Sequence, residues 1–159
     1  LLILRPPLVY GPGVRANFLA LLRLVERGLP LPLRCVRNRR SLLYVKNLAD
    51  AVAHALAAPR WPAQTYLLSD GEDLSTPDLI RRIAAQMARP ARLWPVPVSV
   101  LRAALSVSGR RAMVERLTGS LAMDAAPFRD HFGWSPPYDV DAGLRDTVAW
   151  YRAGQELIS

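Results

Sequence analysis

LVYGPGVRANF, residues 8–18, predicts a junction between a strand and a helix close to the start of the chain. Leu1 to Leu4 form a continuous apolar run, which is typical of a buried strand in a parallel sheet. Gly11-Pro12-Gly13 indicates a turn, and the residues after it have the spacing of a half-buried helix: Phe18, Leu21, Leu22 and Val25. We expect Asn17 to cap this helix and Gly28 to end it. Such a junction lines a ligand site in many α/β proteins.

The remainder of the chain predicts further strands and a larger number of helices. Strands are expected at Leu42–Val45 and Thr65–Leu68. Capping residues, prolines and apolar spacing indicate these helices: one capped by Asn47 and stopped by Pro59, one starting at Thr76-Pro77, Ser99–Ser108, Ala112–Leu117, Pro127–Phe132, and a last one carrying Leu144, Val148 and Tyr151. Because no linker or repeat divides the sequence, it predicts a single mixed α/β unit over residues 1–159.

Composition is that of a globular protein with one core. The 159 residues include 51% hydrophobic and 21% charged residues, which excludes an intrinsically disordered chain. No apolar run reaches the length of a membrane span. Cys35 is the single cysteine, so an internal disulfide is excluded. We interpret the sequence as that of a cytoplasmic protein without a signal peptide.

The chain is basic, with a formal net charge of +8. Arginines supply nearly all of this charge and are scattered along the chain, and Lys46 is the sole lysine. There is neither a helix-turn-helix pattern nor a basic motif interleaved with aromatic residues. The charge therefore favours general binding of polyanions over a specific nucleic-acid function.

The sequence contains no set of residues typical of a catalytic or metal centre. His54 and His131 lack metal-ligand spacing with Cys35 or with a carboxylate, so we expect no metal site. Nucleophile elbows, Walker loops and paired-histidine helices do not occur. Gly11-Pro12-Gly13 is not a dinucleotide fingerprint, because it lacks a third glycine and Pro12 removes an N–H that phosphates would need.

Two residues suit the binding of a diphosphate. Asn17, at the start of a helix, would place a side-chain amide beside free backbone N–H groups. Arg40 precedes a strand, and its planar guanidinium suits two adjacent phosphates. Each residue also has a simpler interpretation, since Asn17 could only cap the helix and Arg37-Asn38-Arg39-Arg40 could be a solvated loop.

Five blocks, in order, resemble the C-terminal half of extended short-chain dehydrogenases/reductases, the nucleotide-sugar epimerase/dehydratase family. The blocks are LRPPLVYGPGVRANF, GLPLP, NRRSLLYVKNLADAVAHAL, TYLLSDGEDLSTPDLIRRIA and HFGWSPPYDVDAGLRDTVAWY. They span practically the whole chain. The resemblance implies the C-terminal part of a Rossmann-type doubly wound fold with a small, mostly helical substrate-binding domain. Ser41 stands where the family pattern has Asp.

The resemblance also implies that catalysis and cofactor binding depend on an N-terminal half. In this family that half carries the Gly-rich NAD(P) loop and the catalytic Tyr-x-x-x-Lys. In this sequence neither Tyr10 nor Tyr44 has a lysine four residues on. We therefore expect NAD(P) in the intact parent and not on this chain alone. The expected partners are the N-terminal half, a nucleotide-sugar substrate and, in an oligomer, further copies of the chain.

Site residues follow from the resemblance position by position. It implies that Asn17 and Arg40 hold the nucleotide diphosphate, and that Arg116, in ERLTGSLAMD, faces a phosphate or the ribose. Leu8 and Tyr10 would lie at the substrate, although many family members have Asn at the position of Leu8. The residues expected near the nicotinamide are Pro6, Pro7 and Val9.

The function implied is the substrate-binding portion of an NAD(P)-dependent nucleotide-sugar epimerase, dehydratase or 4-ketoreductase. The motifs are most similar to bacterial members that act on UDP-sugars for surface-polysaccharide synthesis. Two alternatives stay open: a non-catalytic module that binds nucleotide sugars, and a basic nucleic-acid-binding protein.

Overall fold

The computed structural model describes residues 1–107, 115 and 117–156. The strands are Ile3–Arg5 (β1), Leu8–Tyr10 (β2), Arg40–Tyr44 (β3), Thr65–Leu67 (β4) and Asp73–Leu74 (β5). The helices are Ala16–Glu26 (α1), Val45–Ala57 (α2), Thr76–Gln86 (α3), Val98–Val107 (α4), Ala126–Phe132 (α5) and Val140–Glu156 (α6). Helices outweigh strands among the described residues, as the sequence predicted. The mixed α/β class is thereby confirmed.

The strands form two small sheets with parallel pairing. β1 pairs in parallel with β4, with Ile3 opposite Thr65. A second sheet has the order β2-β3-β5, and in it β2 runs parallel to β3, with Tyr10 opposite Tyr44. In β3, where residues 41–44 are buried, coverage of both faces explains the apolar run. In β1 and β2, by contrast, Ile3 and Leu8 are exposed.

The chain divides into two compact units. The first contains residues 1–14, 41–73 and 122–159, and the second contains residues 15–40 and 74–121. The sequence predicted one unit because it contains no linker. Each unit is assembled from segments that alternate along the chain, so no single boundary with a linker composition exists.

An aromatic cluster forms the core of the first unit. Tyr66 on β4 meets Phe128 on α5 edge-on, with 5.8 Å between ring centroids, and Phe128 meets Trp134 at 5.4 Å. The buried members of the cluster are Leu43, Ala51, Ala55, Tyr66, Leu68, Phe128 and Trp134. These contacts fix α2 and α5 against the strands, since aromatic pairs in this geometry add to the gain from burial.

Two predicted helix caps are wrong. α1 begins at Ala16 after the extended residue Arg15, so Asn17 is the second helical residue and lies exposed in the first turn. α2 begins at Val45, directly after β3, so Asn47 is its third residue, and its side chain is fully buried. No loop separates β3 from α2, and the Asn47 amide bonds to a buried carboxylate instead of a helix end.

Three other predicted helix ends are confirmed, at the start of α3 and at the C-terminal ends of α1 and α5. Ser108 and, apart from residues 115 and 117, the predicted helix Ala112–Leu117 lie outside the described residues. Ser75 caps α3 by accepting a hydrogen bond from the Asp78 N–H, and Pro77 lies in the first turn, where its missing N–H costs nothing. Gly28 and Gly133 follow α1 and α5 with φ of +61°, a backbone conformation that favours glycine.

Within the described part of the chain, no helix combines the length and the apolar character that a membrane crossing requires.

Gly143 tests how tightly α6 packs in the first unit. A Cβ at Gly143 would lie 2.6 Å from the Tyr10 hydroxyl and 2.9 Å from Tyr44 Cγ. Gly143→Ala is therefore expected to lower the free energy of unfolding by about 1–3 kcal/mol through overpacking. Gly154→Ala, on the same helix, meets nothing within 4 Å and should raise it by about 0.5–1 kcal/mol. Urea unfolding measures both, and equal effects of the two substitutions would contradict the packing.

Candidate functional site

The arginine-rich segment 37–40 of the second unit is arranged around one buried amide. Asn38 is 3% exposed, whereas Arg37 and Arg39 on either side of it are exposed. A buried amide must find partners for its donors and its acceptor. The segment is therefore not simply a solvated loop, because its second residue points inward.

Asn38 uses its whole amide. Its Nδ2 donates to Thr76 Oγ1 at 2.9 Å and to the carbonyls of Gly119 and Leu117 at 3.0 and 3.3 Å. Its Oδ1 accepts from the Thr76 N–H at 2.8 Å. One side chain thus joins the arginine segment to the start of α3 and to residues 117–119.

Backbone pairing continues this connection to Arg40. The Leu121 N–H donates to the Arg39 carbonyl at 2.8 Å, and Arg40 and Leu121 form a parallel bridge. The Arg39 N–H donates to Ser120 Oγ at 3.2 Å. Residues 39–40 and 120–121 therefore lie side by side as extended segments.

The second unit contains two of the predicted diphosphate residues. Arg40 is half-buried at the first position of β3, and Asn17 is exposed in the first turn of α1. The N–H groups of a first helical turn have no partner within the helix, and they attract anions. Arg116 lies outside the described residues. The diphosphate role of all three residues stays a prediction.

The first unit contains the residues predicted to lie at the sugar and the nicotinamide. Pro6 and Pro7 connect β1 to β2, Leu8 is 38% exposed, and Val9 is partly buried. Tyr10 is 1% exposed. The exposed Leu8 offers only an apolar surface, so a hydrogen bond to sugar from its side chain is excluded.

Tyr10 has its hydroxyl in the interior. The hydroxyl donates to Asp70 Oδ2 at 3.0 Å, and the Val140 carbonyl lies 3.3 Å away as an alternative acceptor. Burial, together with the neighbouring Asp70 carboxyl, raises the pKa of Tyr10 far above its ordinary value. In this structure the hydroxyl therefore fixes the end of β2, and the predicted contact of Tyr10 with substrate stays a prediction.

The Asp70 carboxylate accepts hydrogen bonds from residues of β2, β3 and α2. The Tyr44 N–H donates to its carboxylate at 2.9 Å, Asn47 Nδ2 donates at 2.7 Å, and the Tyr10 hydroxyl is its third donor. Asn47 also pairs with the Tyr138 backbone in both directions, at 2.8 and 3.1 Å. Burial raises the pKa of Asp70 while these donors act to lower it. The carboxyl thus joins β2, β3 and α2.

Tyr44 lies beside the sole lysine but lacks the properties of an acid–base tyrosine. Its hydroxyl donates to Asp146, to which Lys46 Nζ also binds at 2.8 Å. Burial and the bond to Asp146 raise the pKa of Tyr44. A tyrosine that acts in general acid–base catalysis near neutral pH needs a lowered pKa. Lys46 and Tyr44 instead stabilise the charged form of Asp146, whose pKa is lowered.

The Gly11-Pro12-Gly13 turn does not fit the pyrophosphate of a dinucleotide cofactor. A Cβ at Gly11 would lie 2.4 Å from Val45 Cγ1, so this glycine makes room for α2 and not for a phosphate. The turn ends before α1, which starts at Ala16. This turn therefore does not cradle a pyrophosphate, and the predicted positions of Pro6, Pro7 and Val9 near a nicotinamide stay predictions.

Other candidate centres lie apart from these residues. No group of three or more metal-ligating side chains occurs among the residues that the structure describes. His54 and His131 line a cavity of about 380 Å³ in the first unit, together with Ala57, Ala58, Pro59, Arg60 and Phe132. None of the predicted binding residues belongs to this cavity.

Reasoning from sequence missed Asn38 and Asp70 as organising residues. Asn38 lies among three arginines, and the run Arg37-Asn38-Arg39-Arg40 was interpreted as a whole, without a separate role for the amide. Asp70 follows strand β4 in Ser69-Asp70-Gly71, and the glycine predicted a loop. A carboxylate directly after a buried strand was the available signal, since strand ends of parallel sheets place polar residues at sites.

Asp70→Asn tests the buried carboxylate. The new amide N–H groups would face the donors of Tyr44 and Asn47, so we expect the free energy of unfolding to fall by about 1–3 kcal/mol. Asp50→Asn is the matched control, because Trp134 Nε1 donates to one Asp50 oxygen at 2.8 Å and an amide oxygen can still accept it. That control should change stability by less than about 0.5 kcal/mol. Similar values in urea unfolding would contradict the central position of Asp70.

Comparison with known proteins supports the resemblance seen in the motifs. The chain is 38% identical over 147 residues to a UDP-glucose 4-epimerase from Vibrio cholerae, which covers 92% of this chain and 45% of the relative. No protein-family model matches the chain.

Solved structures have the same fold. A nucleoside-diphosphate-sugar epimerase from Pseudomonas aeruginosa superposes with a TM-score of 0.76 at 25% identity, covering 96% of this chain and 48% of the other. A dTDP-glucose 4,6-dehydratase from Bacillus anthracis, solved with NAD, gives 0.71 at 19% identity, covering 98% and 45%. The chain is thus a relative of the NAD-dependent epimerases and dehydratases among the short-chain dehydrogenases/reductases, as its motifs predicted, and it spans about half the length of those enzymes.

Proposed function

We propose that this chain is the substrate-binding half of an NAD(P)-dependent epimerase, dehydratase or 4-ketoreductase, and that it binds a UDP-sugar used in surface-polysaccharide synthesis. The observation that carries the proposal is the 38% identity, over 92% of the chain, to a UDP-glucose 4-epimerase. Arg40, two residues after the buried Asn38, is the residue that the proposal assigns to the diphosphate of the UDP-sugar.

The chemistry of the second unit suits a diphosphate. A guanidinium presents paired donors to phosphate oxygens, and the first turn of α1 adds backbone N–H groups and the positive end of the helix dipole. In this proposal Arg40 and the helix turn carrying Asn17 bind the two phosphates. Arg116 contributes a second cation.

Catalysis requires groups that this sequence does not contain. No tyrosine here has a lysine four residues on, and the Gly11–Gly13 turn does not fit NAD(P). We propose that a cofactor-binding half supplies both and pairs with the first unit. β1 has one strand neighbour, β4, among the described residues, and Leu1 and Ile3 are 88% and 38% exposed. An open edge beside apolar side chains suits such a partner.

A second candidate is general polyanion binding, which the net charge of +8 favours. The two functions differ in their response to salt. Binding that spreads over many phosphates weakens steeply as salt rises. A pocket that holds one diphosphate with one or two guanidiniums responds much less.

Calorimetric titration of the protein with UDP-glucose, and with UDP, tests the proposal. We expect saturable binding at one site, and Arg40→Ala should raise the Kd about 10- to 100-fold, the cost of a lost charged hydrogen-bond donor. Arg60→Ala removes the same charge from the cavity lined by the two histidines and should leave the Kd unchanged. No saturable binding, or an equal loss in both variants, would contradict the proposal.

A further inference from the structure

We propose that Asn38 is a positioning residue that sets the direction of Arg40 toward the nucleotide diphosphate. This inference rests on the proposed function. It adds that the direction of the Arg40 side chain depends on the Asn38 amide. Asn38 does not touch the ligand in this account. It acts through the backbone that it shares with Arg40.

Burial of Asn38 in a run of cations is the first observation. Its side chain is 3% exposed between two exposed arginines. Burying an amide is unfavourable unless all of its donors and acceptors are satisfied. Asn38 meets this condition with two partners on Thr76 and two carbonyls at residues 117 and 119. Asp in its place would set a carboxylate oxygen against those carbonyls, so the site specifically requires an amide.

The second observation is how this anchor reaches Arg40. Residues 39 and 40 pair with residues 120 and 121 as extended chain. Residues two apart in extended chain lie on the same side, and the residue between them lies on the other. Fixing Asn38 inward therefore fixes the side on which Arg40 projects. The burial agrees, since Arg40 is half-buried and Arg39 is exposed.

A third observation is that Asn38 and Thr76 share an acceptor. The Leu117 carbonyl accepts hydrogen bonds from both side chains, at 3.3 and 2.8 Å. The segment before Arg40 is thus tied to Thr76 both directly and through Leu117. Loss of Asn38 is expected to weaken binding of the diphosphate more than one missing hydrogen bond in the core would.

A double-mutant cycle measured by calorimetry with UDP tests this role. Asn38→Ala should raise the Kd about tenfold, and Asn38→Ala combined with Arg40→Ala should bind no more weakly than Arg40→Ala alone, because coupled residues are not additive. A residue with a purely structural effect would give losses that multiply. Thr76→Val removes the Oγ1 partner of Asn38 and the bond from Thr76 to the Leu117 carbonyl. It keeps the Asn38 amide in place, so it is the milder variant if Asn38→Ala does not fold, and it should also raise the Kd.

Ile83→Val is the matched control for stability. Ile83 is fully buried on α3 in the same unit, so this variant lowers the Tm without altering the Asn38 network. Its Kd for UDP should equal that of the wild type.

The outcomes separate the two proposals. Absence of UDP binding by the wild type overturns the proposed function and the positioning role together. Binding by the wild type with multiplicative losses, or with an Asn38→Ala Kd equal to that of Ile83→Val, overturns the positioning role alone. Non-additive losses confined to the Asn38 and Thr76 variants support it.

Discussion

The buried strand β3 is the element on which the first unit depends. Its residues Ser41 to Tyr44 are each at most 1% exposed, and the strand continues into α2 without a loop. A slip of one residue would turn every side chain to the opposite face. It would also move Arg40 at the start of the strand and Asn47 at its continuation. The register of Ser41 to Tyr44 therefore determines where Tyr44 and the start of α2 lie in the first unit.

Buried polar groups tolerate smaller shifts of β3 along its neighbours than apolar packing does. Asn38 binds the chain before β3, and Asp70 binds the backbone of Tyr44 at its end. No buried side-chain nitrogen or oxygen lacks a hydrogen-bond partner within the part of the chain that the structure describes. A hydrophobic side chain tolerates small shifts, whereas a satisfied amide or carboxylate does not, since a displaced donor stays unpaired. The Asn38 network thus holds the chain before β3 within the second unit, and the Asp70 network holds the end of β3 within the first.

Periodicity and turn residues predicted most of the elements. Apolar runs indicated β1, β3 and β4, and Ser75-Thr76-Pro77 indicated the start of α3, because these signals act over a few neighbouring residues. Asn17 and Asn47 were misread as caps. Helix α1 begins before Asn17, which lies exposed in its first turn, and the Asn47 amide instead makes a buried hydrogen bond to Asp70. The Asn38 and Asp70 networks could not be predicted, because they join residues 38 to 81 and 23 to 60 positions apart. The two compact units leave no linker in the sequence, since each is built from separate segments.

The most direct test of the account is NMR mapping of the bound nucleotide. Backbone amide shifts of ¹⁵N-labelled protein would be followed during titration with UDP at physiological salt. The account predicts saturating shifts in the second unit, concentrated at the first turn of α1 and at residues 37–41, where helix dipole and guanidinium meet the phosphates. Shifts concentrated at His54 and His131, or spread evenly over the arginine-bearing surface, would contradict it.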